Sequence, residues 1–506
     1  MTEMYVLGID AGTSVVKAAL FDRAGALRVT ARRRTTVFSP QPGWTEASLD
    51  ETWQAAAQTI REVLARGGVD GRGIAAVGVT GQMLGAWMVD EAGAPVRSAI
   101  LWNDGRTQAL LARLEAKRPG LMSEIFRRSG SVMQQGCSLP VLRWLAENDS
   151  DAMSRARWLL CSKDWIRFKL TGNVHTDPTD AALLPGNVRT RDLDDTLFEL
   201  LGVSDYRHLF PAVAPSDAIV GAVTRGGASQ TGLRRGTPVV TGAGDVPAVA
   251  LGVGAVQPGQ ACSIVGTTVI NGHVVEEPVF TPPDVGLLFC LPGDRWLRSF
   301  ANIAGTTNVD WASTMLGVGA KPDGAAAIEY YGRLEELIRG SPPGARGVLF
   351  LPYLSAVGIL APVLEPTARA QISGLTPDHD ATDILRAVYE GVALSIRDCY
   401  SVASRQVEVI RLSGGGARSE LWTQIIADVT GCTIEVPAGE EFGAKGAALL
   451  AGVGIGWYPS IVEAATAHVA IAREYAPDAE RAHLYDQVFE VYQDLRERLI
   501  PFWRAR

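Results

Sequence analysis

Carboxylates and hydroxyls gather in this chain at turns that need neither for their shape. In Tyr5–Asp22, YVLGIDAGTSVVKAALFD, two apolar runs flank Asp10, Gly12, Thr13 and Ser14. A hairpin turn asks for Gly or Asn dihedrals, not for an acid and two hydroxyls around one glycine. The N–H groups of such a turn, with Thr13 and Ser14 beside them, can donate to phosphate oxygens. Asp10 would repel a phosphate unless a hard cation such as Mg²⁺ stood between them. Taken alone, the segment is equally compatible with a hairpin closed by an Asx-type turn.

The pattern returns about half a chain later. ACSIVGTTVINGHVVE (Ala261 to Glu276) is again an apolar run, a turn of Gly266, Thr267 and Thr268, and a second apolar run. Two hydroxyl-rich turns at equivalent places in two domains would grip a polyphosphate from both sides. A third element, Leu412-Ser413-Gly414-Gly415-Gly416-Ala417, lets a flat ring or a ribose come close to the backbone. A plain strand–helix corner has the same spelling. The fourth is Asp245, in GAGDVPA, among residues too small to shield it. It reads as a helix N-cap, or as a general base accepting the proton of a hydroxyl that attacks a γ-phosphorus. No G-x-x-x-x-G-K-[ST] occurs, and no G-x-G-x-x-G follows a strand, so neither a Walker-type nor a Rossmann site is spelled out.

The elements that must carry these residues alternate between strand and helix. Val6 to Ile9 and Val15 to Phe21 read as paired strands, Glu51 to Ala65 as an amphipathic helix, and Ile74 to Thr80 as a buried strand. Helices are expected around Gln108 to Glu115, Leu139 to Glu147 and Asp164 to Leu170. VVTGAGD (Val239 to Asp245) reads as a strand entering a glycine-rich turn. VIRLSGGGARSELWTQIIADV reads as strand, turn and helix. The expected architecture is α/β, with two similar domains, residues 1–250 and 251–506, and a cleft between them.

Bulk properties narrow the partners. Of 506 residues 47% are hydrophobic and 20% charged, the balance of a globular chain with large cores. A net charge of −8 leaves no basic excess to displace counterions from nucleic acid or an anionic membrane. A small molecule is the expected partner. The six cysteines are scattered without metal spacing, which suggests reduced, buried thiols in a cytoplasmic protein rather than a zinc or iron–sulfur site. The N-terminus has no basic region followed by an apolar core, so no signal peptide is read. Two uncharged stretches, Val246 to Val275 and Gly446 to Val462, are broken by Gly, Pro and hydroxyls and read as buried strands and loops, not membrane spans.

In order along nearly the whole chain, these segments resemble the FGGY carbohydrate kinases, which are built on the actin-like ATPase fold of two ribonuclease-H-like domains. IDAGTS resembles the family's first phosphate hairpin. GVTGQM (Gly78 to Met83), ILWNDGRT (Ile100 to Thr107), SKDWIRFKLTG (Ser162 to Gly172) and TDPTDAA (Thr176 to Ala182) resemble its substrate-domain segments. GAGD, IVGTT, FLPYLS (Phe350 to Ser355) and SGGGARSELWTQIIADVTG follow. AQISGLTPDHDATDILRAVYEG matches the C-terminal signature at Gly374, Asp383, Ala387 and Glu390.

The resemblance implies an ATP- and Mg²⁺-dependent phosphotransferase acting on a sugar or polyol hydroxyl, with a homodimer expected on the same ground. It implies Asp245 as base and, with Asp10, as metal-side carboxylate. Gly12, Thr13, Ser14, Gly266, Thr267 and Thr268 would meet the phosphates, and Gly305, Gly415, Gly416 and Ser419 would lie around the nucleotide. Gln82, Met83, Leu84, Trp102, Asp104 and Val246 would line the acceptor pocket, with Asp104 on sugar hydroxyls.

Motif wording is nearest to the xylulokinases, so a xylulose-like ketose is the first expected acceptor. Three departures point instead to a smaller, deoxygenated or differently configured one. Leu84 stands where GQMHG has His, Val246 where Asn or Gln is common, and Ala356 to Pro362 where G-E-R-[ST]-P is usual. Trp87 or Gln135 would then have to supply any missing contact. Lys445, where the family is usually apolar, is expected to be solvated or salt-bridged. An actin-like chaperone or filament protein is the alternative of another class, and ILWNDGRT argues against it.

Overall fold

The computed structural model describes residues 3–184, 186–303, 305–322, 324 and 326–506. The run before Asp10 forms β1 (Tyr5–Ala11), which turns back into β2 (Val15–Phe21) with Ala11 opposite Val16. β3 (Leu27–Arg34) extends the antiparallel run. Helix α1 (Leu49–Gly67) starts where Ser48 accepts from the Glu51 N–H and stops at Gly68, in left-handed conformation. It buries Trp53, Ile60, Val63 and Leu64, and the chain returns as β4 (Ile74–Gly81), parallel to β1. β4 is apolar along its length because both of its faces are covered.

Helices α2 (Ser162–Thr171) and α3 (Pro178–Leu183) come before β5 (Ile219–Ala222), β6 (Pro238–Val240) and the short β7 (Ala243–Gly244). The sheet order is β5-β6-β4-β1-β2-β3, with β7 also on β4. Helix α4 (Asp245–Gly252) leaves its end.

The second half repeats the plan. It contains β8 (Gln260–Val265), β9 (Val269–Val275), β10 (Leu287–Leu291), β11 (Arg295–Asn302), α5 (Thr306–Met315), α6 (Ala381–Ser401) and β12 (Val409–Ser413). Then come α7 (Glu420–Thr430), β13 (Thr433–Pro437), α8 (Phe442–Gly454) and β14 (Ile471–Tyr475). The order β10-β11-β9-β8-β12-β13-β14 matches the first sheet strand for strand from β11 to β14. In both, three antiparallel strands are followed by two parallel ones and an antiparallel edge.

The two halves then exchange helices. α4 follows the first sheet yet joins Ala250 and Val253 to a core containing Cys262, Val274 and Leu297 of the second. α8 lies between β13 and β14 of the second sheet in sequence yet packs on β1 and β4 of the first. A Cβ added at Gly8 would stand 1.9 Å from the Ala444 carbonyl oxygen, and one at Gly78 would stand 1.9 Å from that of Ala447. α4 and α8 touch as closely, at Gly446 on Ala248 and Gly252 on Phe442. The stretch from Gly446, expected as strand and loop, is therefore largely helix: its small residues are spaced for backbone contact, a signal that periodicity of large apolar residues misses. Val246 to Val275 likewise opens as helix and holds two strands. Among the described residues no helix is long and apolar enough to cross a membrane.

These contacts predict that Gly78→Ala, forced against a backbone carbonyl, lowers stability by about 3 kcal/mol. Gly332→Ala, in the helix Ala326–Ile338 with open space around it, should raise it by about 0.5–1 kcal/mol. Urea unfolding of the two variants checks the contrast, and equal midpoints would refute it.

Candidate active site

Asp10 sits near the end of β1, level with Lys17 of β2 and Thr80 of β4. Gly443 of α8 closes over it, so that a Cβ there would be 2.9 Å from Asp10 Oδ2. Burial pushes the Asp10 carboxyl up to about 6, with Lys17 opposing the shift and Glu441 adding to it. Asp245 is the first residue of α4, its Oδ1 accepting from the Val246 N–H at 2.8 Å. Burial, and next the charge of Asp10, push it up to about 7. Two carboxylates that resist ionisation side by side, near the orphaned buried hydroxyl of Thr80, form a hard-oxygen donor set that fits Mg²⁺.

Lys17 is a candidate site residue that the turn's spelling passed over. Its Nζ lies 2.9 Å from Glu441 Oε2, just before α8, joining the two halves across the site. Burial pulls the ammonium down, but Glu441 and Asp10 more than offset this and its pKa is raised. A lone cation in the otherwise apolar VVKAALF was the available signal.

Beneath Asp245 lies a buried charge cluster built from SKDWIRFKLTG and TDPTDAA. The Lys163 ammonium is 2.6 Å from Asp164, 3.0 Å from Asp177 and 2.9 Å from Asp180. Arg167 donates to Asp164 and to the Thr241 carbonyl, both at 2.8 Å. Thr179 Oγ1 donates to Asp177 and accepts from the Gly244 N–H at 2.8 Å. The cluster thus holds both ends of the Thr241–Gly244 turn that delivers Asp245. Cys161, Asp164 and Asp180 bring ligand atoms within 4.8 Å of one another, but the Lys163 ammonium, bonded to both aspartates, already supplies the positive charge there.

The two hydroxyl-rich turns occupy corresponding hairpins. At the first, Thr35 anchors the backbone by donating to the Thr13 carbonyl at 2.8 Å, and Ser14 is exposed. At the second, Thr267 and Thr268 are exposed and Gly266 half-buried. The first turn of α5 docks there: the Gly305 N–H donates to Thr267 at 2.7 Å and the Thr306 N–H to Gly266 at 2.8 Å. Gly414 (φ 88°) and Gly416 press on Val265, the residue before that turn, whereas Gly415 faces open space. Ser419 caps α7, accepting from the Trp422 N–H at 2.9 Å. Gly266, Gly305, Gly414 and Gly416 are thereby brought together around the end of β8.

Of the acceptor-pocket residues, Gln82 and Met83 follow β4, and Met83 packs where a Cβ of Gly244 would be, against the turn to Asp245. Trp102 is open, 44% exposed. Asp104 requires a correction. It is fully buried, Oδ1 taken by the Arg106 backbone and Nε, and Oδ2 by the Thr45 N–H and Arg106. With its acceptors engaged inside the protein, it braces the Trp102 loop. Leu84 is buried in left-handed conformation (φ 67°), and Val246 is half-buried. Trp87 lies in the first-half core, so it supplies no pocket contact, whereas Gln135 is exposed, its Oε1 3.2 Å from where a Gly105 Cβ would be.

The Ala356–Pro362 loop turns inward, with Ile359 and Ala361 buried and Ile359 exchanging backbone hydrogen bonds with Glu365. Lys445 is neither solvated nor salt-bridged: it is 8% exposed, no described carboxylate pairs with it, and burial pulls its pKa down. The C-terminal signature is structural. Asp380 caps α6, Asp383 closes the capping box by accepting from the Asp380 N–H and also accepts from Ser341, while Glu390 binds Arg386, Tyr485 and the Gly344 N–H.

Comparison with known proteins gives this geometry a family. Residues 5–252 match the N-terminal domain of the FGGY family of carbohydrate kinases, and residues 261–455 match its C-terminal domain. The chain is 33% identical to the erythritol kinase of Brucella abortus (strain 2308), over 98% of its own length and 97% of that protein. It is 32% identical to the xylulose kinase of Escherichia coli (strain K12), over 98% and 99%. The solved structure of ligand-bound xylulose kinase from Lactobacillus acidophilus shares the fold, with a TM-score of 0.89 at 24% identity over 98% of each chain.

The raised Asp245 carboxyl carries a signed prediction. A carboxylate whose folded pKa exceeds its unfolded value costs stability as pH rises from about 4 to about 7. In metal-free protein, Asp245→Asn should melt higher than the wild type at pH 8, and the gap should close towards pH 4. Thermal melts across that range check this, and a gap independent of pH would contradict it.

Proposed function

Since the chain belongs to the FGGY family of carbohydrate kinases, phosphotransferases acting on an alcohol group, we propose that it phosphorylates a short linear polyol with ATP, a four-carbon tetritol first. The observation that carries the transfer is the pairing of Asp245, poised near neutrality, with Asp10 at the end of a hydroxyl-lined hairpin. The acceptor hydroxyl donates its proton to Asp245 as its oxygen attacks the γ-phosphorus. The N–H groups of the Gly12–Ser14 turn and of Thr267 and Thr268, with Lys17, hold the phosphate oxygens. A divalent cation held by Asp10, with Asp245 beside it, would neutralise charge on the phosphates. Residues 1–250 then carry the acceptor and residues 251–506 the nucleoside, with Gly415 and Gly416 under its base or ribose.

The acceptor assignment rests on how few polar groups remain near Asp245. Asp104 is withdrawn, and Leu84 and Val246 are apolar, which leaves Gln82, the Trp102 indole and Gln135. A pocket that leaves a substrate hydroxyl unpaired discriminates against it. The 33% identity to an erythritol kinase favours the same reading. A xylulose-like ketose is the second reading, favoured by the motif wording and the E. coli relative. Six buried, unbridged thiols suit a reducing compartment, the cytoplasm in this reading.

A coupled ADP-release assay over polyols, ketoses and aldoses of three to seven carbons should show erythritol or another tetritol with the highest kcat/KM. D-Xylulose on top would overturn the tetritol assignment, and no acceptor stimulating turnover would overturn the kinase itself. Asp245→Ala should lose at least about a thousandfold in kcat while binding a non-hydrolysable ATP analogue within about threefold of wild type. Lost nucleotide affinity, read by titration calorimetry, would contradict its role as base.

A further inference from the structure

The Thr13 hydroxyl belongs to the phosphate turn, yet its hydrogen bonds go to the acceptor side. Its Oγ1 donates to Gln82 Oε1 at 3.0 Å and accepts from Trp102 Nε1 at 3.0 Å. An indole N–H can only donate, and a hydroxyl has one proton. In this arrangement that proton is spent on Gln82. A phosphate oxygen only accepts, so Thr13 cannot grip one without leaving Gln82.

The surroundings allow that exchange. The turn's backbone is anchored independently, by the Thr35 hydroxyl on the Thr13 carbonyl at 2.8 Å and the Thr35 N–H on the Ser14 carbonyl at 3.0 Å. The hydroxyl can therefore rotate while the turn stays put. Gln82 is 4% exposed, and its N–H donates to the Ala11 carbonyl at 3.1 Å, which fixes its place at the end of β4. Trp102 presents an open ring beside it.

We propose that Thr13, Gln82 and Trp102 form an acceptor-sensing switch: a polyol hydroxyl donating to Gln82 Oε1 weakens that oxygen's hold on the Thr13 proton, which then turns to the terminal phosphate of ATP. Gln82 and Trp102 are positioning residues for this step. The full phosphate grip forms only with the acceptor in place, which holds back phosphoryl transfer to water in its absence. The inference rests on the reading of Gly12–Ser14 as a phosphate turn.

The test is titration calorimetry of the Mg²⁺ complex of adenylyl methylenediphosphonate without any polyol. Gln82→Met removes the competing acceptor and should tighten binding about tenfold, the size of a hydrogen bond to a charged group. Trp102→Phe removes only the donor to Thr13, leaves the proton on Gln82, and should stay within about twofold of wild type. Thr13→Val alone should also stay within about twofold, and added to Gln82→Met it should erase the gain. Tightening by Trp102→Phe to the same degree, or a gain that survives Thr13→Val, would mean general loosening and would overturn the switch. A tenfold loss in Thr13→Val alone would show that Thr13 grips phosphate from the start, and would overturn it too, even if Gln82→Met failed to fold. Binding by no form at all would bring down the phosphate-turn reading and this inference with it.

Discussion

The site exists because two helices cross at backbone contact. Gly8 and Gly78 let α8 rest its Ala444 and Ala447 carbonyls on β1 and β4, and Gly252 and Gly446 let α4 and α8 touch each other. Any side chain at these four positions would wedge the two sheets apart. At this distance Gly443 seals Asp10, and Asp245, at the start of α4, is brought within reach of its charge. The raised carboxyl values, the Lys17–Glu441 bridge and the orphaned Thr80 hydroxyl all follow from that one close crossing, which strips water from polar groups faster than the protein replaces it.

The second constraint is charge buried for position rather than for stability. Lys163 and Arg167 are enclosed with Asp164, Asp177 and Asp180, and such clusters contribute little net stability once desolvation is counted. What this one does is geometric. Through Arg167 on Thr241 and Thr179 on Gly244 it clamps the turn that aims Asp245. A hydrophobic plug could fill the volume but could not hold those two backbone groups.

How far the sequence was legible follows from which residues speak locally. The two hairpins, the glycine-rich corner and the strand end before Asp245 were legible as turns because a turn's spelling lies within five residues. Helix α1 was readable from its apolar spacing, and its caps added only a residue or two at each end. Helix α8 was not, because its pattern is of small residues answering to a sheet hundreds of positions away. Asp104 misled for a related reason: its type suits a sugar hydroxyl, but Arg106, two residues on, folds back and claims it. Lys17 was hidden by the apolar strand around it, and Lys445 was assigned to solvent because nothing local says that its helix is buried.

The symmetry of the two sheets makes an asymmetry between their hairpins informative. Hairpin for hairpin they correspond, yet in the first the turn's threonine is tied to Gln82 and Trp102, while in the second Thr267 and Thr268 stand exposed. A duplicated hairpin needs no such difference to bind phosphate, and in the proposed reading the difference serves the acceptor. Residues at the strand ends are fixed by the helix crossing. Leu84 and Trp102 lie on the segments beyond, whereas Val246 is the second residue of α4 and belongs to the crossing itself. The first hairpin and the segments beyond its sheet meet through the Thr13 hydroxyl, which bonds both Gln82 and Trp102, and through the Gln82 N–H on the Ala11 carbonyl.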